Sequence, residues 1–369
     1  MSHILTYFYL LATMVWMLRA RTAFEALRKN PAVKPLSGNR DGSLFPENRT
    51  LPLISILLPV KNEEANLEAC LQGLLQQDYP AKEIIVINDN SVDRTREILS
   101  EYVRSRPNEI QAVNASPTPE GWTGKNWALA QGSPLAQGEW LLFTDADTRH
   151  EPGSVSSAVV HAEDKKLDLL TLTPHCLAEG FLEKTLQPAA MTFLGLWFPL
   201  TESHFGNGQY LMIRKTVYQT LGGHEKVKGA FLEDFELVKE AKRAGLKTES
   251  ALGTKIFGTR MYSSFKGIWL GWRRIFLHAF EKNPWRLFRK ATALFLFSFL
   301  PFLLLPFLSQ PLWALPLLLL ILATAGKAHA IVGAPRAFAL FHPLAGLILA
   351  AILADAAWTA GQKKEVKWR

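Results

Sequence analysis

Apolar residues fall into two patterns along the chain. Short runs bounded by polar loops occur at 53–59, 83–88 and 139–144, and each predicts a β-strand. Between the first two, Leu67, Cys70, Leu71 and Leu74 recur at helical spacing within 64–77. Strands alternating with helices imply βαβ units, so 53–258 is expected to be an α/β domain around a mostly parallel sheet. The second pattern is the long uncharged stretch. Residues 291–326 carry no charge, and 337–354 form another apolar run. Pro301, Pro306, Pro311 and Pro316 argue against one straight helix, and Ser309-Gln310-Pro311 suits a tight turn between two short spans.

The N-terminus reads as a third membrane segment. Residues 1–18 are apolar apart from Ser2, His3, Thr6 and Thr13, and Arg19, Arg21, Arg28 and Lys29 follow. A cleaved signal peptide carries its positive charge before the apolar run, not after it. The expectation is an uncleaved anchor at 1–22 with its following side in the cytoplasm. Residues 23–52, with Pro31, Pro35, Gly38, Gly42 and Pro46, read as a linker. An anchor plus three C-terminal spans puts the tail outside, whereas Lys363, Lys364, Lys367 and Arg369 in the tail 361–369 favour the inside. The number of spans in 291–360 stays open.

Composition sharpens this division. Of 369 residues, 48% are hydrophobic and 20% charged, which fits a soluble domain joined to membrane segments. The net charge of +8 is concentrated between Lys255 and Lys290, where nine Lys or Arg face one acid, Glu281. Aromatics interleave, and Trp269, Trp272, Phe276 and Phe280 share one helical face. Such a basic aromatic stretch at 259–290, beside membrane spans, belongs at a lipid interface and not on nucleic acid. The two cysteines, Cys70 and Cys176, have neither zinc nor disulfide spacing, and Cys70 sits in an apolar stripe.

The chemistry gathers at strand ends. Thr144-Asp145-Ala146-Asp147 follows the third strand, and two carboxylates one residue apart can reach one hard cation, Mg2+ or Mn2+. Pro59-Val60-Lys61-Asn62-Glu63 follows the first strand, and Asp89-Asn90-Ser91-Val92-Asp93 the second. Open α/β sheets bind ligands outside the carboxyl ends of their strands, so these loops point to one crevice. Asp93 and Thr95 are also suited to capping the next helix. Gly124-Lys125 offers a point charge for a phosphate. Glu233-Asp234 opens another helix, where acids suit the helix dipole, or where a carboxylate could take a proton from an attacking hydroxyl.

In order, P-x-x-N-E, D-x-S-x-D, G-K-x-x-A-L, D-A-D and E-D-x-x-L at 53–245 resemble glycosyltransferase family 2. The resemblance implies a GT-A fold and an inverting transfer from a nucleotide-sugar, commonly a UDP-hexose. By resemblance, Pro59, Asn62, Glu63, Asp89, Lys125 and Asp145 contact the donor nucleotide. Asp145 and Asp147 hold Mg2+ or Mn2+, and Asp234, with Glu233 beside it, is the catalytic base. Met261-Tyr262-Ser263 and Trp269-Leu270-Gly271-Trp272 are similar to stretches in membrane enzymes that glycosylate lipids, among them carotenoid and hopanoid-associated transferases and ceramide glucosyltransferases. Gly208, Gln209, Trp272 and Arg274 then fall on the acceptor side, although Gly206 and Gly208 equally suit a turn. The processive enzymes' Q-x-x-R-W is absent, which implies transfer of a single sugar. Two other readings are open: a polyprenyl-phosphate sugar transferase, and a non-catalytic membrane scaffold. The expected setting is a multi-pass cell-membrane protein with its catalytic domain in the cytoplasm.

Overall fold

A computed structural model describes residues 2–29, 32–36, 51–200, 205–308 and 311–362. Most of the linker, Ser309 and Gln310 of the expected turn, and residues 363–369 of the basic tail lie outside these.

Ten strands form: β1 (Ile54–Val60), β2 (Lys82–Asn88), β3 (Ile110–Asn114), β4 (Trp140–Phe143), β5 (Thr148–His150), β6 (Leu169–Thr173), β7 (His175–Cys176), β8 (Leu211–Arg214), β9 (Thr248–Leu252) and β10 (Phe257–Thr259). Seven make a central sheet in the order β3-β2-β1-β4-β8-β6-β9. Only β8 runs against its neighbours, β4 and β6. The mostly parallel sheet expected from the sequence is therefore present. Parallel strands are covered on both faces, which is why β1, β2 and β4 read as continuous apolar runs. Ile54, Ile56, Leu58, Ile84, Val86, Trp140 and Leu142 enter one core, and Leu57, Ile85, Ile87, Leu141 and Phe143 the opposite one.

The helices of the domain are named in chain order after α1 (Ser2–Lys29): α2 (Leu67–Leu75), α3 (Thr95–Ser105), α4 (Gly124–Gly132), α5 (Ser154–Asp164), α6 (Phe181–Trp197), α7 (Lys215–Thr220), α8 (Gly223–Lys226) and α9 (Glu233–Arg243). Leu67, Cys70, Leu71 and Leu74 of α2 are buried, as their spacing predicts, and both cysteines are free thiols. Each such aliphatic side chain contributes roughly 1.5–3 kcal/mol by leaving water. A second sheet, β5-β10-β7, sits directly after the Asp145–Asp147 loop.

A helical bundle follows: α10 (Phe265–Ala279), α11 (Pro284–Leu294), α12 (Leu300–Leu303), α13 (Leu315–Ile331) and α14 (His342–Gly361). A π-helical turn, Phe295–Phe299, precedes Pro301, so regular α-helix is interrupted where prolines are expected to break it. Residues Arg336–Gly361 are the one stretch, among those described, long and apolar enough to cross a membrane; α13 is shorter. The N-terminal segment is one 28-residue helix, so helix replaces linker at 23–29, where no breaker precedes Asn30-Pro31. Tyr9, Ala12 and Trp16 of α1 pack on Leu317 and Ile321 of α13. Ile4, Tyr7, Leu10, Met14 and Met17 form an exposed stripe on the other side.

The basic aromatic stretch differs from expectation. Trp272 and Phe276 are buried with Phe193 of α6 and with Leu349 and Leu353 of α14. Trp269 and Arg273 both reach Asp355 of α14, at 2.7 and 3.2 Å. The aromatic face is covered by the bundle itself, while Phe265, Trp285 and Phe288 are exposed. Sequence identifies an apolar helical face but not what covers it.

Candidate functional site

The residues to which the resemblance gives a donor, metal, catalytic or acceptor role all line one cavity of about 1060 Å³: Pro59, Asn62, Glu63, Asp89, Lys125, Asp145, Asp147, Gly208, Gln209, Glu233, Asp234, Trp272 and Arg274. Its floor is the carboxyl edge of β1, β2 and β4. The loops after β1 and β2 are laced together there. The Asn62 N–H donates to Ser91 Oγ at 3.0 Å, Val92 N–H to Asn62 Oδ1 at 2.9 Å, and Glu63 N–H to Thr95 Oγ1 at 2.7 Å. Asn62 and Asn90 hold left-handed backbones, φ +55° and +52°, which asparagine tolerates better than most residues. Asp93 accepts from Thr95 N–H at the start of α3 and from Glu64 N–H, so capping accounts for it.

Asp89 is buried against Lys61, whose Nζ donates at 3.0 Å. A Cβ on Gly124 would stand 2.5 Å from Asp89 Oδ2, so glycine lets α4 begin against this carboxylate. Thr123 caps α4, accepting from Asn126 N–H. That start delivers Lys125, whose Nζ lies 2.8 Å from both Asp145 Oδ1 and Glu233 Oε1. Burial alone would lower the Lys125 pKa, but Asp145, Glu233 and Asp234 raise it well above its ordinary value. Lys125 therefore ties the Asp145–Asp147 loop to the start of α9.

Gln209 donates to both Asp147 oxygens, at 3.1 and 3.3 Å, and to Thr259 Oγ1 at 2.8 Å. The resemblance placed Gln209 with the acceptor, yet it touches the Asp-x-Asp loop. The reason is β8: running antiparallel beside β4, it brings 207–210 next to 144–147. Gly208 N–H donates to Asp234 Oδ2 at 2.6 Å. Neither Gly206 nor Gly208 has positive φ. A Cβ on Gly206 would collide with the Asp234 backbone, and one on Gly208 would stand 2.8 Å from Lys125 Nζ. Close approach, not a turn, requires these glycines.

Three carboxyls here have raised pKa values. Burial raises Asp147 first, and the Asp145 and Glu63 charges add to it. Burial likewise raises Glu233 and Asp234, with Lys125 working against it in both. Asp145, Asp147 and Glu63 thus crowd negative charge, with the Lys125 ammonium against Asp145, the Gln209 amide on Asp147 and the Asn66 amide on Glu63. Such a surplus of hard oxygen donors fits a divalent cation. No group of three or more potential protein ligands exists among the described residues, so the cation would complete its shell from substrate oxygens and water.

Two supports were missed in the sequence. Asn126 is fully buried and its amide nitrogen is shared among the carbonyls of Val227, Lys228 and Ala230 at 2.9, 3.2 and 2.9 Å, fixing the approach to Glu233. A polar residue between Lys125 and Trp127 on a helix was its only signal. Gln187 of α6 accepts from Trp272 Nε1 at 2.6 Å and donates to the Tyr262 carbonyl at 2.9 Å. The Tyr262 ring lies over Gly271, which explains the glycine between Trp269 and Trp272.

Residues 55–222 match the family model for glycosyl transferase family 2. The chain is similar to a 4,4'-diaponeurosporenoate glycosyltransferase of Staphylococcus haemolyticus, 27% identical over 237 residues, covering 62% of each protein. It is also similar to a beta-monoglucosyldiacylglycerol synthase of a Nostoc species, 30% identical over 185 residues, covering 47% of this chain and 38% of that protein. Each match spans less than two thirds of the relative. Among solved structures, a mannosyltransferase of Pyrobaculum calidifontis, in complex with GDP-Man and Mn2+, aligns over 99% of both chains. Its TM-score is 0.56 at 19% identity, a likeness of fold.

Proposed function

With residues 55–222 forming a glycosyl transferase family 2 domain, we propose that the chain moves one sugar from a nucleotide-sugar, a UDP-hexose in the reading favoured here, to a membrane lipid. The observation that carries this is the single cavity. It opens from the strand ends, where a nucleotide would lie, into the helical bundle, where apolar residues such as Met191, Trp197 and Ile275 line it. Asp234 lines the same cavity, beside Gly208.

In this reading Asp89 and the Asn62–Glu63 loop hold the nucleoside. Lys125 offers its ammonium to the diphosphate. Asp145 and Asp147 would hold Mg2+ or Mn2+, which supplies charge neutralisation for the departing diphosphate. An acceptor hydroxyl attacks the anomeric carbon from the face opposite the leaving group. The new C–O bond forms, the bond to the diphosphate breaks, the configuration inverts, and the hydroxyl proton passes to Asp234. The Gly208 and Phe235 N–H groups aim that carboxylate, at 2.6 and 2.8 Å. Burial raises its proton affinity, which suits a base.

The acceptor class we favour is a carotenoid, hopanoid or sphingolipid. The relatives named for diaponeurosporenoate and diacylglycerol substrates support an apolar acceptor. The exposed stripe on α1 and the apolar Arg336–Gly361 segment support a membrane setting, and Arg19, Arg21, Arg28 and Lys29, which follow the first apolar run, favour the cytoplasmic side for the domain. Lipids extracted from a host expressing the chain test this by mass spectrometry. A new glycosylated lipid is expected, reduced by on the order of 10²–10⁴-fold with Asp234→Asn. Equal amounts from both would overturn the assignment of the base.

A further inference from the structure

The two halves of the cavity differ in charge. The acids on its wall, among them Asp145, Asp147, Glu233 and Asp234, all belong to the nucleotide half. The helical half, built from α1, α6, α10, α11, α13 and α14, contributes no acid to the wall but does contribute Arg19, Arg274 and Lys290. Arg19 of α1 and Lys290 of α11 converge there. The Lys290 ammonium sits 5.1 Å from the Trp197 ring centre and 5.9 Å from that of Phe280. The Arg19 guanidinium lies 5.6 Å from the Phe297 ring centre, and Trp16, one turn earlier on α1, donates to the Phe297 carbonyl at 2.6 Å. Among the described residues neither cation forms an ion pair. Burial lowers the Lys290 pKa, and the neighbouring Arg19 and Arg289 charges lower it further, so the two cations feel each other.

Two like charges drawn together on an apolar wall are unfavourable unless an anion joins them. Ring faces hold a cation by its quadrupole and leave its N–H donors open. We propose that Arg19 and Lys290 form a binding site for the anionic group of an amphiphile, a carboxylate or phosphate carried on an apolar chain. The proposal rests on the reading that this cavity takes the acceptor lipid, and it narrows that acceptor to an anionic one. The chain would lie along Phe193, Trp197 and Ala325 on the same wall.

Native mass spectrometry of the full chain in dodecyl maltoside, without donor, tests this using oleate and oleyl alcohol, which share chain length and differ in charge. The wild type is expected to retain one oleate about tenfold more strongly than the alcohol, the scale of a charge-assisted hydrogen bond. Inorganic phosphate at equal concentration should not displace it. The preference should vanish in Arg19→Gln/Lys290→Gln and survive in Arg19→Lys/Lys290→Arg, which keeps both charges if the first variant folds poorly. Equal retention of oleate and alcohol by the wild type would overturn the proposal. So would displacement by phosphate alone, or a preference that persists in the folded glutamine variant. Because no sugar is transferred, the outcome is independent of the catalytic reading: Asp234→Asn should bind oleate as the wild type does.

Discussion

Lys125 decides much of the site's electrostatics, since one ammonium is shared by Asp145 and Glu233. Gly208 protects that arrangement. Its missing Cβ leaves room for Lys125 Nζ at 2.8 Å, Glu233 Oε1 at 3.2 Å and Asp234 Oδ2 at 3.5 Å from where the atom would stand. Gly208→Ala should therefore push the flexible lysine end aside, costing about 1 kcal/mol of stability but more than tenfold in sugar transfer. Comparing thermal midpoint with initial rate separates the two effects, and a variant as active as the wild type would refute the crowding argument. Two histidines outside the bundle set the acid limit of the fold. Burial pushes His150 down to about 3. Burial, with the Lys125 charge behind it, does the same for His224. Unfolded imidazoles protonate near pH 6.5. Between those values the unfolded chain holds more protons, so stability is complete above about pH 6.5 and falls as pH drops towards 3. At pH 5 each histidine should cost roughly 2 kcal/mol. Denaturant midpoints at pH 7 and 5 check this, and His150→Gln should flatten the slope.

At the scale of elements, what could be read from sequence depended on whether the signal was local. Runs such as Ile84–Ile87 in β2 announce themselves because buried parallel strands are apolar throughout. The loops after β1, β2 and β4 followed from the rule that ligands bind at strand ends. β8 was not foreseen: Leu211–Arg214 is short and gives no sign that it reverses between β4 and β6. That reversal is why Gln209 meets Asp147. The second sheet is equally silent, since β5, β7 and β10 have two or three residues each. The aromatic spacing predicts α10 as a helix with one aromatic face, but its cover, α14, is some eighty residues away in sequence. Trp272 is 1% exposed and Trp285 is 65% exposed. The joint between α6 and α10 depends on Gln187. Gln187→Leu should strand the Trp272 N–H and the Tyr262 carbonyl, costing about 1–3 kcal/mol. The expected signature is a lower thermal midpoint and a raised KM for the acceptor with the donor KM unchanged. A raised donor KM would contradict a role confined to the helical half.

The whole molecule is a mostly parallel sheet opening into a helical bundle through one cavity, acidic at one end and cationic at the other. That continuity joins the region that matches the family 2 model to α1 and α10–α14, and the proposed transfer needs both halves in one chain. Membranes containing the full chain, incubated with radiolabelled nucleotide-sugars, test the central claim most directly. Label should move from one donor, a UDP-hexose, into the solvent-extractable lipid, fall to background with a chelator, return with Mn2+ or Mg2+, and drop at least a hundredfold in Asp234→Asn. Transfer of label to lipid from no nucleotide-sugar, or transfer that Asp234→Asn leaves intact, would contradict the account.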